Sequence, residues 1–298
     1  MTPRVRPTGS PDASAAVTGA PRMSTEAAVL ALRADPAMAD LVRDAYLGGD
    51  VAESCTRFRD SAEFGEVRRL IGHRLAGATV LDVGAGTGIA SFAFASSGSA
   101  NVVALEPDPS HVIGQGSIRR ACEGLPVDVV AGFAEALPFP RRAFRVVYFR
   151  QVLHHTRDLR AVMREAARVL QPGGLLIATR EHVADDERQL AEFLRAHPIH
   201  QLAGGEHAYP LDHYTRAIRE AGFRRLRTLG PWHSIINAFP SVRSTSELRR
   251  HPRRRLVERF GRLGLAASLV PGIPTLVRRR IDAPVGGRLY SFVAAKPW

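Results

Sequence analysis

Lysine is almost missing from this chain. Lys296 is the only one, although Lys and Arg together number 41 and the formal net charge is +12. Charge of that size invites a nucleic-acid or anionic-membrane partner, but carried almost wholly by arginine it reads first as a compositional bias. Cysteine is scarce as well. Cys55 and Cys122 have neither metal-ligand nor disulfide-framework spacing, so no structural zinc or disulfide scaffold is expected and a reducing, cytoplasmic compartment fits. No apolar run approaches the roughly 18 residues a membrane-spanning helix needs. Arg4 and Arg6 are not followed by the apolar core of a secretory signal. Residues 1–22, rich in Pro, Gly, Ala, Ser and Thr, are expected to form a disordered tail.

What is present is ample apolar material for one large α/β domain with accessory segments, since 45% of 298 residues are hydrophobic. Residues 23–76 read as an N-terminal helical segment, in which Ser61 is a candidate N-cap ahead of Phe64, Val67, Leu70 and Ile71 on one face. Short apolar runs at 79–83, 102–105, 127–131, 145–149 and 175–179 read as strands buried on both faces. Helical stretches lie between them, the clearest from Asp158 to Leu170, and Pro172-Gly173-Gly174 reads as the turn into the fifth strand. A sixth strand is expected at 223–229 and a last one at 288–295. Alternation of this kind predicts a Rossmann-like, doubly wound α/β sheet over 77–230 plus 287–298, with helices on both faces. Two insertions are expected, 183–210 and an Arg-rich helical cap at 231–286.

The densest motif is Thr79-Val-Leu-Asp-Val-Gly-Ala-Gly-Thr-Gly88, a buried strand running into a glycine loop and then a helix. Open α/β sheets bind ligands at such carboxyl ends, where glycine lets backbone approach the ligand closely. Gly84, Gly86 and Gly88 give G-x-G-x-G, not the G-x-G-x-x-G of a dinucleotide fold, which sets a dehydrogenase aside. Glu106 ends the second strand, where a carboxylate can accept hydrogen bonds from both hydroxyls of a ribose. Gly132-Phe-Ala-Glu-Ala-Leu-Pro-Phe139, a Leu-His-His turn and Leu-Gln-Pro-Gly-Gly174 then follow in order.

With these motifs, residues 79–180 resemble the class I S-adenosylmethionine-dependent methyltransferases, in the branch of the quinone C-methyltransferase-like enzymes. The resemblance implies S-adenosyl-L-methionine as cofactor and an antiparallel last strand. It also implies roles. Asp82, Gly84, Ala85 and Gly86 would hold the methionine part of the cofactor, and Thr87 and Gln151 would also bind the cofactor. Glu106 would hold the ribose, and Pro107 with Phe133, Ala134 and Glu135 would enclose the adenine. Phe133 stands where branch members often carry Asp, so adenine recognition is expected to pass to Glu135 or to backbone groups.

Methyl transfer to a neutral oxygen or nitrogen needs a positioned acceptor and a base, for which histidine suits neutral pH. The residues expected over the fourth and fifth strands are Arg150, Gln151, His154 and His155, then Arg180, Glu181 and His182. His182 is the first candidate base and His154 the second. The alternative for Arg180-Glu-His182 is a salt-bridged anchor, Glu181 pairing with Arg150. His197-Pro-Ile-His200 and Gly204-Gly-Glu-His-Ala-Tyr209 read as a substrate lid and not as a metal site, because no carboxylate or cysteine set completes the histidines. In the cap, Arg249–Arg255, the apolar stretch Leu263–Pro274 and Arg278–Arg280 are expected to pack on the domain. Peripheral contact of 249–280 with the inner face of a membrane, or an Arg cradle for an anionic acceptor, is the sharper alternative. The expected acceptor is a small molecule, a glycan or a lipid-like compound.

Nucleic-acid methylation and a non-catalytic binding module are the rivals. The first is opposed by the lack of an Asn- or Asp-Pro-Pro-Tyr motif after the fourth strand and of a cysteine nucleophile there. A ribose-methylating lysine set is impossible with one lysine. The second is opposed by intact Asp82, glycines and Glu106.

Overall fold

The computed structural model describes residues 23–99, 101–281 and 288–298. The expected tail, 1–22, and the side chains of Arg278–Arg280 lie outside the described residues. Seven strands form one sheet: β1 (Thr79–Val83), β2 (Asn101–Leu105), β3 (Val127–Val130), β4 (Phe144–Arg150), β5 (Leu170–Val183), β6 (Arg224–Leu229) and β7 (Arg288–Ala295). Their order is β3-β2-β1-β4-β5-β7-β6, with β7 antiparallel to both neighbours. The order reverses between β1 and β4. A doubly wound sheet opens its ligand crevice at such a switch point, outside the carboxyl ends of the strands.

Strand side chains alternate between faces, and this builds two cores. Leu81, Val83, Leu105, Val147, Phe149 and Leu176 lie in one, covered by α7 (Leu159–Val169) and α10 (Leu211–Glu220). Val80, Val102, Val146, Tyr148 and Ile177 lie in the other. That face is covered by α3 (Val51–Arg59), α4 (Ala62–Ile71), α5 (Ile89–Ala95) and α6 (Gln115–Ala121). The Ser61 hydroxyl accepts the Phe64 N–H and caps α4, a contact worth about 1 kcal/mol. α1 (Thr25–Ala34) and α2 (Ala39–Asp44) share a small core with Ile199 and Leu202, which belong to the 183–210 insertion. That insertion carries α8 (Glu187–Ala196) and α9 (Pro198–Leu202). Met23 donates to the Leu202 carbonyl, so the N-terminal segment clamps it from outside.

Two expectations change. Pro172-Gly173-Gly174 does not precede β5; it bulges within it, Leu170 pairing with Phe144 and Leu175 with Val146. β5 also continues past Thr179. Between Ala178↔Phe292 and Glu181↔Tyr290 two residues face one, so Arg180 sits in a β-bulge at φ 59. A bulge re-aims side chains. Arg180-Glu-His182 is therefore strand and not loop.

The cap holds α11 (Ile235–Ala238), α12 (Thr245–Leu269) and α13 (Ile273–Ile281). Its start is well anchored, since Asn237 Nδ2 donates to the Leu229 and Gly230 carbonyls while its Oδ1 accepts from Ser291. Further out the expectation of packing on the domain fails. Only His251, Pro252, Leu256 and Gly264 of α12 are buried, and Leu263 and Leu269 are 79% and 68% exposed. Gly261 breaks the helical backbone in α12, and although α13 packs against α12, Phe260, Leu263 and Leu269 stay exposed.

Candidate active site

The glycine loop begins where β1 ends at the crevice. Gly84 has φ 65, and a Cβ there would come within 2.7 Å of Val152 Cγ2, so the loop after β4 abuts it directly. Gly86 has φ 56, and a Cβ would meet nothing within 4 Å. Space is open above it, and the left-handed backbone is what asks for glycine. Ala85 is buried and its N–H donates to the Leu105 carbonyl at 3.1 Å; Thr87 is buried beneath the loop. Asp82 shares a face with Val80 and points to α5, where Ser91 Oγ donates to it at 2.6 Å. Burial pushes the Asp82 carboxyl up to about 7, against the Ser91 hydrogen bond.

Glu106 bridges the ends of β1 and β2. Its Oε2 accepts the Gly86 N–H at 2.8 Å and its Oε1 accepts the Asp108 N–H at 3.0 Å. Burial raises its pKa and these two hydrogen bonds oppose the rise. Each carboxylate oxygen has a second lone pair, so Glu106 can still accept from the two hydroxyls of a ribose. Pro107 is exposed beside it. Beyond β3, Phe133 is 67% exposed and Ala134 is buried. Glu135 Oε1 accepts the Arg157 N–H at 3.0 Å, so one of its oxygens already serves the approach to α7.

At the ends of β4 and β5 the expected polar set divides. The suggested pairing of Arg150 with Glu181 is not what forms. Arg150 binds Glu63 of α4, Nε to Oε1 at 2.8 Å and Nη2 to Oε2 at 3.2 Å, and its guanidinium lies over the rings of Tyr46 and Phe58. Arg150 Nη1 also donates to Gln151 Oε1, and Gln151 holds φ 57 while its N–H donates to Thr179. Arg180 is turned by its bulge into the cap, donating from Nη1 to the Ile236 and Phe239 carbonyls at 2.7 and 2.9 Å. Burial lowers its pKa. It anchors α11 and does not line the crevice.

Glu181 instead organises the Leu-His-His turn. Its oxygens accept the N–H groups of Val152 and His154, and His154 Nδ1 lies 2.8 Å from Oε2. His154 is fully enclosed. Burial would lower its pKa, but Glu181 and then Glu206 outweigh burial and bring it up to about 9. Both ring nitrogens thus face carboxylates, and His154 is not free to act as a base. His182 differs. Its ring packs on Phe193 of α8 with centroids 4.3 Å apart and the planes tilted by 35°, and among the described residues its nitrogens carry no hydrogen bond. Burial and then the neighbouring His154 hold its pKa well below the usual value, so it is neutral near pH 7.

Two partners escaped the sequence reading. Glu63 is a buried carboxylate inside a run that reads as an ordinary helix. Glu206 supplies the carboxylate that the histidine spacing lacked. Its oxygens face His154 Nε2 at 3.4 Å, His155 Nδ1 at 3.3 Å and His197 Nδ1 at 3.5 Å. A charged residue whose burial depends on a loop folding back leaves no periodic signal.

Switch-point crevice, glycine loop and Glu106 together define an α/β protein whose strand-to-helix turn suits a ribose-bearing cofactor. Residues 81–178 match a family model described as a methyltransferase domain. Over 135 residues the chain is 33% identical to a ubiquinone biosynthesis O-methyltransferase of Rhizobium etli, covering 45% of this chain and 54% of that protein. Over 130 residues it is 35% identical to the 2-methyl-6-phytyl-1,4-hydroquinone methyltransferase of Synechocystis, covering 42% and 39%. The chain spans about half the length of the curated relatives it matches. Phosphoethanolamine N-methyltransferase 2 of Haemonchus contortus, solved with S-adenosyl-L-methionine, has the same fold, with a TM-score of 0.55 at 18% identity over 93% of this chain and 60% of that one. Residues 81–178 thus form a class I S-adenosylmethionine-dependent methyltransferase domain.

Proposed function

We propose that this protein transfers a methyl group from S-adenosyl-L-methionine to a hydroxylated, lipid-like small molecule held over the ends of β4 and β5. The observation that carries the reading is the contact of Val152 with the glycine loop, which sets the turn held by Glu181 against the cofactor's place. Relatives named for ubiquinone biosynthesis and for a phytyl hydroquinone support a phenolic acceptor. When bound, the cofactor supplies an electrophilic methyl group on a sulfonium. Asp82, Gly84, Ala85, Gly86, Thr87 and Gln151 would hold its methionine part, Glu106 the ribose, and Pro107, Phe133, Ala134 and Glu135 the adenine. An acceptor hydroxyl placed in line with that methyl group would be held over the ends of β4 and β5, and His182 would take its proton. α8 and α9 would exclude water above it.

The direct test offers hydroquinones with and without a prenyl tail and follows release of S-adenosylhomocysteine. Turnover of the tailed compounds is expected. His182→Ala should lower kcat by roughly 10²–10⁴-fold, the usual worth of a positioned base, with cofactor affinity unchanged. An unchanged kcat would remove His182 from the mechanism, and cofactor binding without turnover of any acceptor would favour a binding module.

A lipid-like acceptor also accounts for the cap. No helix among the described residues is long and apolar enough to cross a membrane. α12 and α13 nevertheless expose Phe260, Leu263, Leu269, Val270 and Leu276, with Arg253, Arg254, Arg259 and Arg262 exposed among them. Apolar side chains flanked by arginine suit the surface of an anionic bilayer. Co-sedimentation with vesicles containing phosphatidylglycerol is expected, weakening with salt and lost in a Leu263→Asp, Leu269→Asp variant. Equal sedimentation with neutral vesicles, or none at all, would leave the cap as a substrate or protein surface.

A further inference from the structure

His154, His155 and Glu206 meet under the 183–210 insertion, and their arrangement calls for something the chain does not itself provide. Glu181 and Glu206 are both buried, their side chains 0% and 1% exposed. Among the described residues no arginine or lysine reaches either within 4.0 Å, because Arg150 is spent on Glu63 and Arg180 on carbonyls. Imidazoles alone meet the two carboxylates among the described residues, His154 between them with His155 and His197 on Glu206, and buried carboxylates call for positive charge close by. Oε2 of Glu206, moreover, has no hydrogen-bond partner.

We propose that these residues form a binding site for one divalent transition-metal ion of zinc-like preference, ligated by His154 Nε2, His155 Nδ1 and Glu206 Oε2. The three atoms lie within 4.8 Å of one another. The two ligand-to-ligand distances through Glu206 are 3.4 and 3.3 Å. Ligands placed about 2.0–2.1 Å from a tetrahedral ion lie roughly 3.3–3.5 Å apart, so the separations already suit that geometry. A dication would balance the two carboxylates. Imidazole nitrogen with one carboxylate selects zinc and its neighbours over magnesium or calcium. Glu181 completes the arrangement as an outer partner. Its contact with His154 Nδ1 turns the lone pair of Nε2 toward the ion, the usual carboxylate–histidine–metal relation. Since Glu206 lies in the insertion and the histidines lie after β4, the ion would tie the insertion to the sheet. Three protein ligands leave a fourth position for water.

The site stands independently of the methyl-transfer reading. Its test uses the untagged full chain, stripped with chelator and titrated with zinc against a chromophoric competitor, then with cobalt read by its visible absorption. One ion per chain is expected, with a Kd of about 1 µM or tighter, and a cobalt spectrum of four- or five-coordinate type. Glu181→Gln should weaken binding roughly 10–100-fold. Glu206→Gln and His155→Ala should weaken it further and change the cobalt spectrum. His155 has a 43% exposed side chain, so its removal leaves the fold intact and keeps the test valid if Glu206→Gln proves unstable. Absence of saturable binding by the folded wild type, or wild-type affinity in both ligand variants, would overturn the proposal.

Discussion

Glu106→Ala is expected to lose S-adenosyl-L-methionine binding almost completely while remaining folded. The carboxylate spends one lone pair of each oxygen on the Gly86 and Asp108 N–H groups, and the others would accept from the proposed ribose. Hydrogen bonds to a charged group are worth about 1.5–3 kcal/mol each, and two of them amount to about 10²–10⁴-fold in affinity at roughly 1.4 kcal/mol per decade. Calorimetric titration reads this directly. The two N–H groups left behind sit at the mouth of the crevice, where water can take them, so thermal stability should change little. Glu106→Gln keeps the shape but not the charge and should fall between the two. Affinity in Glu106→Ala within about threefold of wild type would mean that the ribose is held elsewhere, because two charge-assisted hydrogen bonds cannot vanish without that cost.

The largest loss of stability is expected from Glu63→Ala. Glu63 is fully enclosed and is the only carboxylate paired with Arg150 among the described residues, whose side chain is 11% exposed. Burial alone would pull the Arg150 pKa down; Glu63 outweighs it and raises it. Removing one partner of a buried pair leaves an uncompensated charge and costs about 3–5 kcal/mol. At roughly 2–4 °C per kcal/mol for a domain of this size, Tm should fall on the order of 10 °C. The double variant Glu63→Leu, Arg150→Met removes both charges and should recover most of the loss, since apolar replacement of a buried pair is often neutral. A small loss in the single variant, or no recovery in the double, would show that the pair is hydrated and that α4 is held to β4 by its apolar contacts alone.

The doubly wound sheet was legible in the sequence because each of its signals is local. Val80, Leu81 and Val83 lie within four residues, the glycines follow within five more, and Glu106 closes the next strand. Asp158 caps its own helix by accepting the Ala161 N–H. Such features need only their neighbours. β5 was harder, because its two irregularities depend on strands that flank it. The bulge at Gly173 is defined against β4 and the bulge at Arg180 against β7. Nothing within Leu-Gln-Pro-Gly-Gly or Thr-Arg-Glu-His distinguishes a bulge from a turn.

By itself, then, the sequence determined the order of strands and helices, the glycine loop after β1 and the acidic residue at the end of β2, because backbone geometry and hydrophobic period are written over a few adjacent residues. Only the tertiary structure decided which charge meets which. Arg150 joins Glu63 across 87 positions rather than the nearer Glu181; Glu181 turns to His154, Arg180 leaves the crevice for the cap, and Glu206 comes down upon the histidines. The chain offers 40 arginines and many carboxylates, and in water almost any pairing among them would be worth little. Burial makes the difference. It removes the competing solvent, so the packing that encloses a charge also fixes its partner, and that packing exists only once the sheet, the N-terminal helices and the insertion have come together.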